Sequence, residues 1–174
     1  MKKVLLKDVM ELGGDIVASE RFAKAKRVPH HNKNGNIADH SLETAGYALA
    51  LTRWLHRHGI LVNERDVVRT SLLHDVGMTE DDVFHSPSRK KAYSHPREGA
   101  RIAQEEFGLD EIEAEAILHH MWPICLTPPH NALGWVVSAA DKWCSMNETW
   151  HFASGALKNV PMLWKHSSEH IDAS

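Results

Sequence analysis

The stretch Asn63-Glu64-Arg65-Asp66-Val67-Val68-Arg69-Thr70-Ser71-Leu72-Leu73-His74-Asp75-Val76-Gly77 decides the fold class of this chain. Asn63 is a favoured N-cap residue, and Glu64 and Asp66 put negative charge at the positive end of the helix dipole. Apolar residues then recur at three and four, the period of an amphipathic helix reaching about His74. His74 follows Val67 and Ser71 on one buried stripe, and Asp75 follows Val68 and Leu72 on another. An imidazole and a carboxylate therefore stand where apolar side chains are expected. On a regular helix adjacent residues diverge by about 100°. At a fraying C-terminus the pair can converge on one point, and Gly77 frees the backbone to do so.

The same spacing extends in both directions and predicts an all-α bundle. A first segment, about 4–12, breaks at Gly13-Gly14, and a second runs from about Asp15 to Lys26 before Pro29. His30 to Asn36 is a polar loop. A long helix from about Ala38 to His58 stops at Gly59, which suits a left-handed C-terminal cap. Gly77 to Tyr93 is a polar, irregular loop containing Pro87 and the basic run Arg89-Lys90-Lys91. Ser94 caps the next helix, with Pro96 in its first turn and an end near Gly108. Asp110 with Glu113 starts another in capping-box fashion, and Pro123 halts it. A last helix covers about Leu133 to Glu148, and the tail from about Pro161 is expected to fray.

A length of 174 residues, 43% of them hydrophobic, suits one domain, 1–174, with a substantial core. Twenty basic against twenty-three acidic residues give a net charge of -3, so no DNA partner is expected. No apolar run reaches the ~18 residues of a membrane span, and charge cuts short the segment after Met1, so the expectation is a cytoplasmic protein without a membrane partner. Cys125 and Cys144 have no paired spacing, which excludes a disulfide framework and a thiolate zinc site.

Asp141 repeats the anomaly of His74-Asp75, since it follows Leu133 and Val137 at four-residue steps. A buried carboxylate needs a cation, a helix end or a metal. His40 opens the long helix and His95 opens another. In residues 111–121 the wheel places His120 among Ala116 and Ile117 and His119 beside Glu115, so His120 points inward and His119 lies on the rim or behind a ligand. Together His40, His74, Asp75, His95, His120 and Asp141 form an oxygen and nitrogen set without thiolate. Such a set suits two first-row divalent ions, iron or manganese, in roughly octahedral geometry, with Asp75 as the natural bridge.

The order His40, His74-Asp75, Asp141 resembles the HD-domain superfamily of metal-dependent phosphohydrolases. His95, in Ser94-His95-Pro96-Arg97-Glu98-Gly99-Ala100, and His120, in Ile117-Leu118-His119-His120-Met121, match its two-metal subset. The resemblance runs from about Phe22 to Glu148. The segments His120-Met121-Trp122-Pro123, Pro128-Pro129 and Asp141-Lys142-Trp143-Cys144-Ser145 also look like a group of small single-domain bacterial members described as hydrolases. The chain departs from many members in carrying Met78 where they have a Lys that touches substrate phosphate.

What the resemblance implies is hydrolysis of a small phosphorylated compound, a nucleotide above all, by water activated at the metals. Asp75, His74 and Lys142 would serve catalysis. Lys142 would add positive charge or else be a solvated helix lysine. Arg97 and Arg101 would reach the anion or pair with Glu98 and Glu105. His31 and Lys33 would line the entrance, and Trp122 would stack on a base or simply pack. His56, His58, His85, His130, His151, His166 and His170 are given no role. The competing functions are a mixed-valent di-iron oxygenase of the same fold and a non-catalytic metal-binding signalling module, the latter disfavoured by the complete ligand set. Oligomeric state is left open.

Overall fold

The computed structural model describes residues 2–30, 35–79 and 88–154, with side chains over 5–30, 35–79 and 93–147. Among the described residues the regular structure is helical: α1 Lys2–Val17, α2 Glu20–Ala25, α3 Ile37–His56, α4 Glu64–Leu73, α5 Ser88–Phe107, α6 Glu111–His119 and α7 Ala132–Ser154. None of these helices is long and apolar enough to cross a membrane.

Local chemistry sets most of the ends. The Asn63 side chain accepts from the amides of Arg65 and Asp66, and Asn36 does the same for Asp39. Asp110 and Glu113 exchange both bonds of a capping box. Gly59 takes the left-handed φ of 81° that ends α3.

Three expected boundaries differ. The expected break at Gly13 is present as a kink with non-helical backbone angles, but the second segment does not run on to Lys26: it ends at Val17, and the Ser19 hydroxyl accepts from the Phe22 amide and starts α2. A Cβ on Gly13 would lie 2.5 Å from Leu72 Cδ1, so this glycine lets α1 approach α4. Secondly, α5 begins at Ser88 and not at Ser94, so Pro96 lies inside a helix rather than in its first turn. Its fixed φ is helical, but it removes one amide bond and its ring crowds the carbonyl of the preceding turn. Finally, α6 ends at His119, before Pro123 is reached. Residues 80–87 of the expected loop, and the tail from Pro161, lie outside the described residues.

Helix α4 packs against α1, α3, α5, α6 and α7. This central position explains why every residue from Val67 to Met78 is buried. Arg69 braces it from within: Nη1 donates to both carboxylate oxygens of Asp15 (2.8 and 2.7 Å), and Nη2 donates to the Phe107 carbonyl at 3.1 Å. One apolar cluster joins Phe22, Ile37, Leu49, Leu72 and Ile117, and a second joins Ala48, Val67, Ala116, Leu133 and Val137. The C-terminal end of α4, with Leu72, Leu73, Val76 and Met78, is buried in the first of these clusters.

Candidate metal centre

Five helices deliver one side chain or more to that point. His40 sits in the first turn of α3, fixed by the Asn36 cap. His74 and Asp75 follow directly on the last residue of α4. His95 comes from within α5, His120 is the C-cap of α6, and Asp141 lies in α7. None of the six is more than 6% exposed. Two carboxylates and four imidazoles without solvent must be compensated from within.

Asp75 is the hub. Its Oδ1 lies 3.2 Å from His95 Nε2 and 3.4 Å from His120 Nε2. Its Oδ2 lies 3.4 Å from His74 Nε2 and 4.0 Å from His40 Nε2. Asp141 Oδ1 faces the second group, 3.1 Å from His40 Nε2 and 3.7 Å from His74 Nε2. The two carboxylate oxygens of Asp75 therefore address separate pairs of imidazoles.

The backbone decides which ring nitrogen each histidine offers. His74 Nδ1 is 2.7 Å from the Ser71 carbonyl, and His120 Nδ1 is 2.6 Å from that of Ile117. A carbonyl only accepts, so both Nδ1 atoms carry the hydrogen, and the inward Nε2 atoms are the ones free to present lone pairs. His74 Nε2 is fully buried and makes no hydrogen bond among the described residues. His95 and His120 face each other through Nε2 atoms 3.3 Å apart, which cannot both carry hydrogens.

The electrostatics agree. Burial pushes His120 down to about 4, although Asp75 pulls the other way, so it is neutral at pH 7. Burial also pushes His74 down, but the charges of Asp75 and Asp141 outweigh it and raise it, drawing positive charge toward that nitrogen. Burial would raise Asp75, yet His74, His120 and His95 hold it well below the ordinary carboxylate range. Asp141 is held down likewise, against burial, by His40, His74 and Lys142. Ionised carboxylates facing imidazole nitrogens suit a hard or borderline divalent cation.

Gly77 serves the site differently from the sequence expectation. Its φ is not positive, and backbone freedom is not what the turn takes from it. A Cβ there would lie 2.4 Å from the Gly99 amide nitrogen and 2.4 Å from the His95 carbonyl. The missing side chain lets the turn after Asp75 touch α5, which brings His95 within reach of Asp75.

The other singled-out residues are placed as follows. His119 is half-buried and faces outward, 3.8 Å from Glu115, with the His130 ring beside it. Lys142 Nζ donates to Asp141 Oδ2 and to the His120 carbonyl, each at 2.7 Å. Ser138 Oγ donates to the same carbonyl at 2.8 Å. Arg101 pairs with Glu98 and Glu105, and Arg97 is exposed. Met78 packs into the core, where a lysine would not be accommodated without a partner. Trp122 meets Trp135 edge to face at 5.0 Å. His31 and Lys33 lie outside the described residues.

One residue at the site lies in the stretch that the sequence marks as a polar loop. His30 is buried, its ring stacked on that of His40 at 3.8 Å and 18°. Its Nε2 lies 3.7 Å from Asp75 Oδ2. Periodicity cannot orient a side chain outside a helix, and the one signal in the sequence is the doublet His30-His31, of which only His30 lies among the described residues.

A model of the HD domain family matches residues 37–146. No curated protein and no solved structure matches the chain.

Proposed function

The chain belongs to the HD-domain family, and from that premise we propose that it is a two-metal phosphohydrolase acting on a small phosphorylated compound, a nucleotide being the first class to try. The observation that carries this is the division of Asp75, with His95 and His120 on one oxygen and His74 and His40 on the other. On this reading His40, His74, Asp75 and Asp141 would hold one ion and Asp75, His95 and His120 the other, with iron and manganese the favoured metals. Divalent ions there would acidify a water molecule and neutralise phosphate oxygens.

The protein's own groups prepare that centre. The carbonyls of Ser71 and Ile117 fix the tautomers of His74 and His120. Lys142 takes up the outer oxygen of Asp141, leaving the inner one for the cluster, and with Ser138 it anchors the end of α6 at the His120 carbonyl. Lys142 thus acts through Asp141 and His120, by positioning. Arg97, exposed on the helix that carries His95, is the residue proposed to meet the anion outside the metal ligands.

The test is phosphate release from a panel of nucleotides and phosphate monoesters by protein reconstituted with Mn²⁺ or Fe²⁺. Release from at least one, abolished by chelator, is expected. Metal-replete protein that releases phosphate from none of them would overturn the proposal.

A further inference from the structure

We propose that His30 is a seventh side chain of the metal centre and completes the ligand set on the Oδ2 side of Asp75; this rests on the metal-centre reading above. Three observations carry it. His30 is 3% exposed although it belongs to a polar stretch, so its ring has been drawn out of water into a site already crowded with titratable groups. Its Nε2 and Asp75 Oδ2 are 3.7 Å apart, too far for a hydrogen bond between them. That spacing suits two ligands of one ion, because bonds of about 2.1 Å hold neighbouring and opposite donor atoms roughly 3.0 to 4.2 Å apart. One ring nitrogen each of His30 and His40 and a carboxylate oxygen of Asp75 all lie within 4.8 Å of one another.

The third observation is how the ring is held. His30 and His40 stack almost parallel at 3.8 Å, so the ring is packed directly against that of a proposed ligand. The backbone fixes the approach. Pro29 bridges to Asn36, the His30 amide donates to the Gly35 carbonyl at 3.0 Å, and the Ile37 amide donates to the Val28 carbonyl at 3.0 Å. The ends of this loop are thereby clamped at the start of α3, one turn from His40. His30 is positioned by the same structure that positions a ligand.

The consequence is an asymmetric pair. On the Oδ2 side His30, His40, His74, Asp75 and Asp141 would offer five donors, leaving about one of six octahedral positions open. On the Oδ1 side Asp75, His95 and His120 offer three, leaving about three open. The His95–His120 side is therefore where water and the substrate anion would enter, and the His30 side is the tighter holder.

The experiment is a Co²⁺ titration of the metal-free full chain, followed by visible absorption and by metal counting. Wild-type protein should bind two ions in two steps. His30→Ala should weaken the tighter step at least tenfold with a changed Co²⁺ spectrum, leave the weaker step in place, and regain affinity when imidazole is added. His30→Gln, which fills the space without an imidazole, should behave as His30→Ala does before rescue, and it replaces that variant if the cavity prevents folding. Wild-type affinities and spectrum in both variants would overturn the proposal. Wild-type protein that binds no Co²⁺ would overturn the underlying metal centre as well. Phosphate release plays no part in this readout, so failure of hydrolysis is told apart from failure of ligation.

Discussion

His74 Nε2 and Asp75 Oδ2 lie 3.4 Å apart, although neighbours on a regular helix point about 100° away from each other. The helix ends one residue before His74, and the chain then tightens: the Val76 amide bonds the Leu73 carbonyl and the Met78 amide bonds that of Asp75. Those i to i+3 bonds wind the turn more closely and bring the carboxylate round toward the imidazole. Asp75 can then face four histidines from different helices. Replacing it with Ala should remove at least one bound ion per chain and lower activity by at least about 100-fold, the upper end of what even outer-shell changes cost. Metal counting on the purified variant checks this, and wild-type metal content would refute it.

The turn depends equally on Gly77. With backbone atoms 2.4 Å from the position of a Cβ on two sides, Gly77→Ala can be relieved only by moving α4 and α5 apart. Overpacking of this kind costs about 1–3 kcal/mol, and rigid backbone neighbours put this case at the upper end. Denaturant melts of the metal-free variant should show that loss. Metal affinity should fall with it, because the same movement withdraws His95 from Asp75.

How far the sequence disclosed all this follows from where period and chemistry speak. Within helices the wheel was informative: it separated His120, now fully buried, from His119 on the rim, and it marked Asp141 as an acid on the face of Leu133 and Val137. Between helices it had nothing to measure. The backbone at His30 is placed by the neighbouring Pro29–Asn36 bridge, a contact with no periodic trace. Proline usually opens a helix, whereas Pro96 lies inside α5, a placement that the residue's own preference does not announce. Gly77 was assigned the right importance for the wrong physical reason, since close approach depends on the partner helix and not on the residue's own neighbours.

The His119-His120 doublet gives a clean contrast. His120 lies 3.4 Å from Asp75 Oδ1 and is anchored through Nδ1 to Ile117, whereas His119 faces Glu115. His120→Ala should therefore lose one ion and most activity, and His119→Ala should keep the wild-type metal content. Metal stoichiometry of the two purified proteins is sufficient to decide, and the reverse pattern would refute the assignment.

Lys142 permits two opposed effects to be weighed. Removing its charge makes the cluster more negative and would favour a cation, but it also frees Asp141 Oδ2 and takes one of two donors from the His120 carbonyl. The side chain is 30% exposed, so solvent already screens part of its charge, and the loss of orientation should win. Lys142→Met is expected to weaken metal binding about 10-fold to 100-fold, as outer-shell changes do. A competition titration against a chelator measures this, and unchanged or tighter binding would show that charge dominates.

Reaction class follows from the charge the centre would carry. Two divalent ions among neutral imidazoles and two carboxylates leave net positive charge, which favours an anionic ligand. The converging side chains are imidazoles turned to carboxylates, and Lys142 is committed to two oxygens, so no covalent intermediate is expected and water is the attacking group. Turnover should then be lost with chelator, return with Mn²⁺ or Fe²⁺, and proceed at the same rate without oxygen. In water labelled with heavy oxygen, attack at phosphorus should place one label in each phosphate released. The contrary result is equally specific: turnover that stops anaerobically and carries oxygen from dioxygen into the product would assign this centre to oxygenase chemistry.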